Sequence, residues 1–365
     1  MIPKTASRAE GETLLAAFLQ AGAVPVETDL LQPAETLLDL YGEDIRARAY
    51  VTQDPARGEM MLRPDFTVPV VQAHMSHGAE PARYAYLGEV FRKQDRASGK
   101  ASEYLQVGYE VFDRSAPEGA DAEVFALFRD LLAGLALRPV TGDIGILMAA
   151  VRGLETTERR KAALLRHVWR PMRFKALLDR FSGRAPVPAG RIRLLERLAA
   201  GSPLDLIAEA GTFVGLRSAE EITARAEALV ADADTPPIRA TEAALLYDLL
   251  NLEAPAAAAL AHLRGITPML PAIGPAVDRF AARLAALAAR GVDVSTLAFE
   301  ASHGRTALEY YDGFVFSFLG PKDMPPVASG GRYDALTAVL GAGAFIPAVG
   351  GVIRPELVAR LKGAT

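Results

Sequence analysis

Hydrophobic and polar positions change period several times along this 365-residue chain. Near the N-terminus Leu14, Leu15, Phe18 and Leu19 recur on one helical face and stop before Gly22. Ser7-Arg8-Ala9-Glu10 has the spacing of a capping box that would open the helix. From about Ala49 to Asp113 the pattern turns to β-rich runs, at Arg48–Thr52, Met60–Leu62, Arg83–Lys93 and Glu103–Phe112. Glu118–Leu137 returns to helical spacing, with Phe125, Phe128, Leu132 and Leu135 on one side. Between about Arg152 and Arg290 Ala, Leu, Arg and Glu dominate, and Pro186, Pro188, Pro203, Pro236 and Pro237 interrupt them. That stretch predicts a helical insertion followed by a return helix near Val277–Arg290. Strands resume at Val294–Glu300 and Tyr311–Phe318. A helix at Tyr333–Leu340 and a strand near Ala348–Ile353 follow, and a last helix opens with Pro355 in its first position.

Strands at both ends, largely in hairpins, predict an α+β fold: an antiparallel sheet flanked by helices, with a helical insertion. The expected parts are 1–151, 152–290 and 291–365, the first and last forming one core. Phosphate-loop patterns fail. Gly341-Ala342-Gly343-Ala344 lacks the lysine, and no Gly-x-Gly-x-x-Gly leads from a strand into a helix.

The segment Tyr84–Asp113 reads as a hairpin. Alternate residues of a strand share a face, so Leu105, Val107, Tyr109 and Val111 make one apolar side. Gln106, Gly108 and Glu110 make the other. A glycine between an amide and a carboxylate leaves bare backbone flanked by two polar arms, which suits the floor of a pocket for a small polar ligand. A solvent-facing strand side with an incidental glycine fits the same pattern. The polar loop from Lys93 to Ser102 joins the strands, and Arg92 stands where strand meets loop. There its planar fork would suit a carboxylate or phosphate.

Composition narrows the function classes. Half the residues are hydrophobic, which excludes wholesale disorder. The absence of cysteine excludes disulfides and thiolate metal sites and fits a reducing compartment. The N-terminus has no apolar signal run, and Arg138 and Asp143 break the most apolar stretch, so the expectation is a cytoplasmic protein away from membranes. A net charge of −4 offers no overall field for nucleic acid, and no tRNA is expected as a partner. His74 and His77, at i and i+3, make at most half a metal site. No metal or cofactor is expected.

Taken together, Phe91-Arg92, the polar loop and Gln106-x-Gly108-x-Glu110 resemble motif 2 of histidyl-tRNA synthetase, a class II aminoacyl-tRNA synthetase. Leu62-Arg63-Pro64-Asp65-Phe66-Thr67 resembles that family's Leu-Arg-Pro-Glu-Gly-Thr. Leu308-Glu309-Tyr310-Tyr311 resembles its histidine-recognition segment, and Gly330-Gly331-Arg332-Tyr333-Asp334 matches its Gly-Gly-Arg-Tyr-Asp. Val349-Gly350-Gly351 through Arg354 looks like motif 3, and Pro33 is the candidate motif 1 proline. The resemblance spans roughly Pro33 to Arg354. It implies a six- or seven-stranded antiparallel sheet and a dimer formed through the motif 1 region. It also implies that Asp65, Thr67 and Gln106 hold an α-amino group, that Glu110 and Tyr311 read an imidazole, and that Tyr310 lines the pocket. On the same resemblance, Arg92 would be the cation for the ligand carboxylate.

Three departures bear on catalysis. Thr306-Ala307-Leu308-Glu309-Tyr310-Tyr311 has threonine where the family has an arginine that assists amino-acid activation, and losing one such donor typically costs ~10²–10³ in rate. Arg305 is adjacent, yet one residue along a strand turns a side chain to the opposite face. Arg92-Lys93-Gln94 lacks the carboxylate of the family's Arg-x-Glu, and an anticodon-binding domain is not expected in a chain that stops at Thr365. This pattern is similar to that of ATP phosphoribosyltransferase regulatory subunits, paralogues of the synthetase. It implies a non-catalytic chain that activates a short catalytic subunit within a hetero-octamer and senses L-histidine for feedback inhibition. The alternative is a divergent amino-acid-activating enzyme, since Arg92 and Arg354 survive where nucleotide-binding arginines would stand. A stand-alone histidine-binding or scaffold protein is the third reading.

Overall fold

The computed structural model describes residues 3–41, 44–94, 101–211, 216–305 and 310–363. Contacts divide the chain into two compact units, Met1–Ala149 with Leu249–Thr365, and Ala150–Asp248. Residues 249–290, grouped with the insertion on composition, therefore lie in the first unit.

The first unit is built on strands β1 (Val24–Pro25), β2 (Leu31–Pro33), β3 (Val51–Asp54), β4 (Gly58–Leu62), β5 (Ala82–Phe91), β6 (Glu103–Phe112), β7 (Arg138–Asp143), β8 (Glu253–Pro255), β9 (Ala298–Glu300), β10 (Phe314–Leu319), β11 (Ala328–Arg332) and β12 (Ala348–Ile353). Nine form one sheet in the order β1-β5-β6-β12-β11-β10-β7-β9-β8, and β2-β4-β3 form a small second sheet. The central pairings are antiparallel. The sheet exceeds the expected six or seven strands because short strands extend it at both edges. Two of these pairings, β1 with β5 and β7 with β9, are parallel. Such two- and three-residue strands carry no alternation to read.

The sheet has two differently furnished faces. Phe314, Phe316 and Phe318 of β10 and Tyr109 of β6 meet the helices Lys4–Gln20 and Pro117–Leu131. Ring centroids stand 5.3 Å apart for Phe18 and Tyr109, and 5.5 Å apart for Phe128 and Phe316. Each fully buried aromatic contributes roughly 1.5–3 kcal/mol. A buried ionic chain ties this layer together. Asp121, fully inaccessible, accepts from Arg283 at 2.8 Å and from Arg332 at 2.7 Å, and Asp143 accepts from Arg283 at 2.8 Å.

Several boundaries moved for identifiable reasons. Ser7 is no cap: the first helix opens after Pro3, and the Ser7 hydroxyl lies within the helix, over the Pro3 carbonyl. Arg48 ends a short helix, Asp44–Arg48, and the strand begins three residues later. The helix expected to reach Leu137 stops at Leu131, and Gly134 takes a φ of +87° just beyond it. The strand expected from Val294 starts at Ala298, because the Asp293 carboxylate accepts from the Ser295 amide at 2.9 Å and folds that stretch into a turn. The strand expected from Tyr311 starts at Phe314, since the Asp312 carboxylate accepts from the amides of Asp334 and Ala335. Pro33 ends β2 and leads into the helix Ala34–Tyr41.

Candidate functional site

Strands β6, β12, β11 and β10 lie side by side, and their second face floors a cleft of about 670 Å³. Gln106, Val352, Ser329 and Ser317 contribute to that floor, one from each strand. The wall holds Asp65 and Thr67 at the start of the helix Thr67–His77, together with Tyr310 and Tyr311. Arg48, Arg92, Lys93, Gln94 and Arg354 line the same cleft, so an acceptor-rich region and several cations share one cavity.

Glycines make the room. At Gly350 a Cβ would stand 1.5 Å from Glu110 Oε2, and at Gly108 one would stand 2.2 Å from the Tyr86 ring. Register puts these neighbours together: Gly350 pairs with Glu110 across β12 and β6, and Tyr86 pairs with Gly108 across β5 and β6.

The structure places Glu110 beneath the cleft rather than on its surface. Its side chain is 1 % exposed, and its carboxylate accepts from the hydroxyls of Tyr86 at 2.8 Å, Tyr333 at 2.7 Å and Thr67 at 3.2 Å. Burial pushes the carboxyl up to about 7 against the opposing pull of the three hydroxyls. Tyr310 donates to Thr67 at 3.2 Å, so a hydrogen-bond chain runs from the cleft wall through Thr67 to Glu110. Gly108 is likewise covered, by the Tyr86 ring. Of the eight residues expected around an amino acid, Asp65, Thr67, Arg92, Gln106, Tyr310 and Tyr311 line the cleft. Gly108 and Glu110 support it from below.

Gln106 is 1 % exposed, and its Oε1 has no hydrogen-bond partner, an uncommon condition for a buried carbonyl. Arg92 is held in place by a 2.9 Å bond from its Nε to the Pro64 carbonyl, and Arg354 donates to the Pro326 carbonyl. Burial lowers the Arg354 pKa from its usual value, and the nearby Tyr104 opposes that shift. Burial also raises the Tyr311 phenol, which therefore stays protonated at neutral pH.

Tyr86 and Tyr333 were not singled out from sequence. The Tyr in Gly330-Gly331-Arg332-Tyr333-Asp334 could have been read, because the motif fixes three things at once. Arg332 grips Asp121, Tyr333 grips Glu110, and Asp334 accepts from the Ala348 amide at 2.9 Å. Thr306 to Glu309 lie outside the described residues, so the threonine in place of arginine is known only as a sequence feature. Arg305, next to it, is buried, and burial lowers its pKa to about 10. His303 lies in the cleft with Nε2 2.9 Å from the Ser317 hydroxyl. His74 stacks on Phe112 with its Nδ1 3.0 Å from the Tyr84 hydroxyl, and the His77 side chain lies outside what is described. Among the described residues no group of three or more His, Asp or Glu is placed to hold a metal ion.

An antiparallel sheet with motif-bearing strands at its centre and a polar cleft on one face defines the class II aminoacyl-tRNA synthetase fold, in its histidyl form. The sequence matches the family described as histidyl-tRNA synthetase over residues 2–254 and 223–358. A solved ATP phosphoribosyltransferase regulatory subunit/histidyl-tRNA synthetase from Bacillus halodurans superposes with a TM-score of 0.68 at 21% identity, covering 99% of this chain and 80% of that one. A histidyl-tRNA synthetase from Nostoc sp. PCC 7120 gives 0.64 at 16% identity, covering 99% and 72%. The sequence is 35% identical over 353 residues to the ATP phosphoribosyltransferase regulatory subunit of Allorhizobium ampelinum, covering 92% of this chain and 93% of the relative. It is 33% identical over 365 residues to that of Agrobacterium fabrum, covering 96% of each. The chain belongs to the family of ATP phosphoribosyltransferase regulatory subunits. No helix among the described residues is long and apolar enough to cross a membrane.

Proposed function

We propose that the cleft binds L-histidine, and that its occupancy sets the activity of a catalytic ATP phosphoribosyltransferase partner in the cytoplasm. The unpaired, buried Gln106 Oε1 carries the reading. A buried carbonyl without a donor is costly, and an α-ammonium supplies that donor while Asp65 and Thr67 add acceptors. Arg92 and Arg354 offer guanidiniums to the ligand carboxylate. Tyr310 and Tyr311 present phenols to the imidazole, and Glu110 orients Tyr310 indirectly, through Thr67.

The same reading gives the chain no amino-acid activation of its own. Thr306 stands where the family arginine would assist attack on ATP, and Gln94, uncharged, lies in the cleft where the family has a carboxylate. Regulation then rests on linkage. Histidine shifts the partner only as far as it binds one state of the assembly better than another. The expected assembly is a homodimer of this chain within a hetero-octamer.

Calorimetry with L-histidine tests the cleft. Gln106→Ala removes a bond to a charged group, worth about 1.5–3 kcal/mol, and should weaken binding roughly 10- to 100-fold. Unchanged affinity would remove the cleft from the argument. Robust histidine-dependent ATP–pyrophosphate exchange by the wild-type chain would instead favour the activating enzyme.

A further inference from the structure

Three hydroxyls meet the Glu110 carboxylate, and they differ in where they lead. The Tyr86 phenol donates to Oε1 at 2.8 Å and the Tyr333 phenol to Oε2 at 2.7 Å, and both side chains are fully buried. Thr67 is the third, 3.2 Å from Oε1, and its own oxygen accepts from Tyr310 at 3.2 Å. Thr67 and Tyr310 line the cleft. Of the three contacts, the Thr67 branch is the one that joins the carboxylate to the cavity.

A hydroxyl carries one proton and both accepts and donates, so a chain of hydroxyls has a direction set by the group at its end. An ionised carboxylate only accepts. Thr67 must then point its proton at Glu110, and Tyr310 must point its own at Thr67, which leaves the Tyr310 oxygen facing the cleft as an acceptor. A protonated Glu110 has one O–H to place. Turned on Tyr86 or Tyr333, it would strip a buried phenol proton of its acceptor, which is costly. Turned on Thr67 from Oε1, it leaves Tyr86 a lone pair on Oε1 and leaves Oε2 to Tyr333. Two hydroxyl rotations then reverse the chain, and the Tyr310 proton swings to the cleft side. Both forms of Glu110 are within reach near neutral pH: burial raises the carboxyl to about 7, the three hydroxyls oppose the rise and Asp65 adds to it. The phenols around it, Tyr86, Tyr311 and Tyr333, are all raised by burial and stay protonated there.

We propose that Glu110 is a positioning residue that sets, through Thr67, the polarity of Tyr310. Ionised, it makes that phenol an acceptor for a ring N–H; protonated, it makes the phenol a donor to a bare ring nitrogen. The inference rests on the amino-acid-binding reading above and deepens it. An imidazole carries both kinds of nitrogen and suits either state. A ring with a bare nitrogen and no N–H suits the protonated state alone, so the side-chain selectivity of the cleft changes with pH.

The probe is 3-(4-thiazolyl)-L-alanine, a histidine-shaped amino acid whose ring nitrogen accepts, has no proton to give and stays unprotonated over the range used. Calorimetry on the full chain between pH 5.5 and 8 should show its affinity falling about 10-fold as Glu110 ionises, the value of one hydrogen bond. Thr67→Val, close in shape, cuts the chain. It should weaken binding at every pH, since an acceptor for the ammonium is lost, and it should remove the pH slope. Tyr310→Phe should remove the slope as well, while Thr67→Ser, which keeps a hydroxyl, should retain it. A mere loss of packing would not sort the three variants in this way. L-histidine binding alongside a thiazolylalanine affinity that is flat with pH, or undetectable, overturns the proposal. So does an unchanged slope in Tyr310→Phe. If the wild-type chain binds neither ligand, the amino-acid-binding reading has itself failed, and this inference falls with it.

Discussion

Glu110→Gln offers the sharpest check on the chemistry beneath the cleft. A protonated carboxyl is neutral, with a carbonyl acceptor and one O–H donor. The amide of glutamine is a neutral group of nearly the same shape, with a carbonyl acceptor and an N–H donor at the corresponding places plus one further N–H. The variant is thus a permanent mimic of the low-pH state. In the wild type the carboxyl titrates at about 7 when folded, against an ordinary value of 4.5, because burial disfavours its charge. A raised folded pKa stabilises the protein fully below the unfolded value, and that stabilisation is lost as pH rises through the folded value. At about 1.4 kcal/mol per pH unit, the interval from 4.5 to about 7 amounts to about 3 kcal/mol, lost between roughly pH 4.5 and pH 8. Urea denaturation of both proteins from pH 4.5 to 8.5, followed by a probe in the first unit, gives the comparison. The two should agree at the acid end, and the wild type should become less stable by about 3 kcal/mol at the alkaline end. Parallel profiles would mean that Glu110 ionises freely and that the three hydroxyls hold it as a carboxylate. Its role under the cleft would then be electrostatic rather than structural.

Two further outcomes follow from the same geometry. Asp121→Asn leaves Arg283 and Arg332 buried with only part of their compensation, and should destabilise the first unit by about 3–5 kcal/mol in chemical denaturation. A loss below about 1 kcal/mol would show that the network relaxes. Gly350→Ala inserts a methyl 1.5 Å from Glu110 Oε2, which should cost about 1–3 kcal/mol and weaken L-histidine binding. Gly265→Ala, in a helix with nothing near its Cβ, serves as the unstrained control and should stabilise by up to about 1 kcal/mol.

How much of this was legible depended on which signal carried it. The hairpin β5–β6 was, because ten-residue strands with one polar and one apolar face leave little freedom of register. Ala348–Ile353 matched at both ends for a similar reason, with Pro355 stopping the strand and starting a helix. The short strands β1 and β8 were not, since two or three residues hold no period and their pairing is decided by distant partners, whereas β9 was expected but with its start at Val294 instead of Ala298. Within the cleft, Gln106 and Asp65 were legible from motifs, but the depth of Glu110 was not. Burial of a carboxylate depends on Tyr86 arriving from β5 and Tyr333 from the turn between β11 and the helix Asp334–Leu340. The alternation along β6 tells only which face each residue takes. The return helix near Val277–Arg290 was expected apart from the insertion, but the boundary before it was not legible, because Ala- and Leu-rich helices look alike whether they belong to the first unit, as Ala256–Ile266 does, or to the second.

The strand β6 is fastened on both sides at consecutive residues. Tyr109 is hydrogen-bonded at 2.8 Å to Glu123, itself gripped by Arg83 through two 2.7 Å bonds, while Glu110 is clamped by Tyr86, Tyr333 and Thr67 on the opposite side. Such a strand behaves as a rivet: it cannot slide or roll toward one layer without tearing contacts in the other. On the proposed reading, the effect of a bound ligand would leave the cavity sideways, through parts that pivot against this fixed point. The hydroxyl relay from Thr67 to Tyr310 is one such exit, and the arginine-bearing rim around Arg92 is another. The floor supplies the reference against which their displacement is measured.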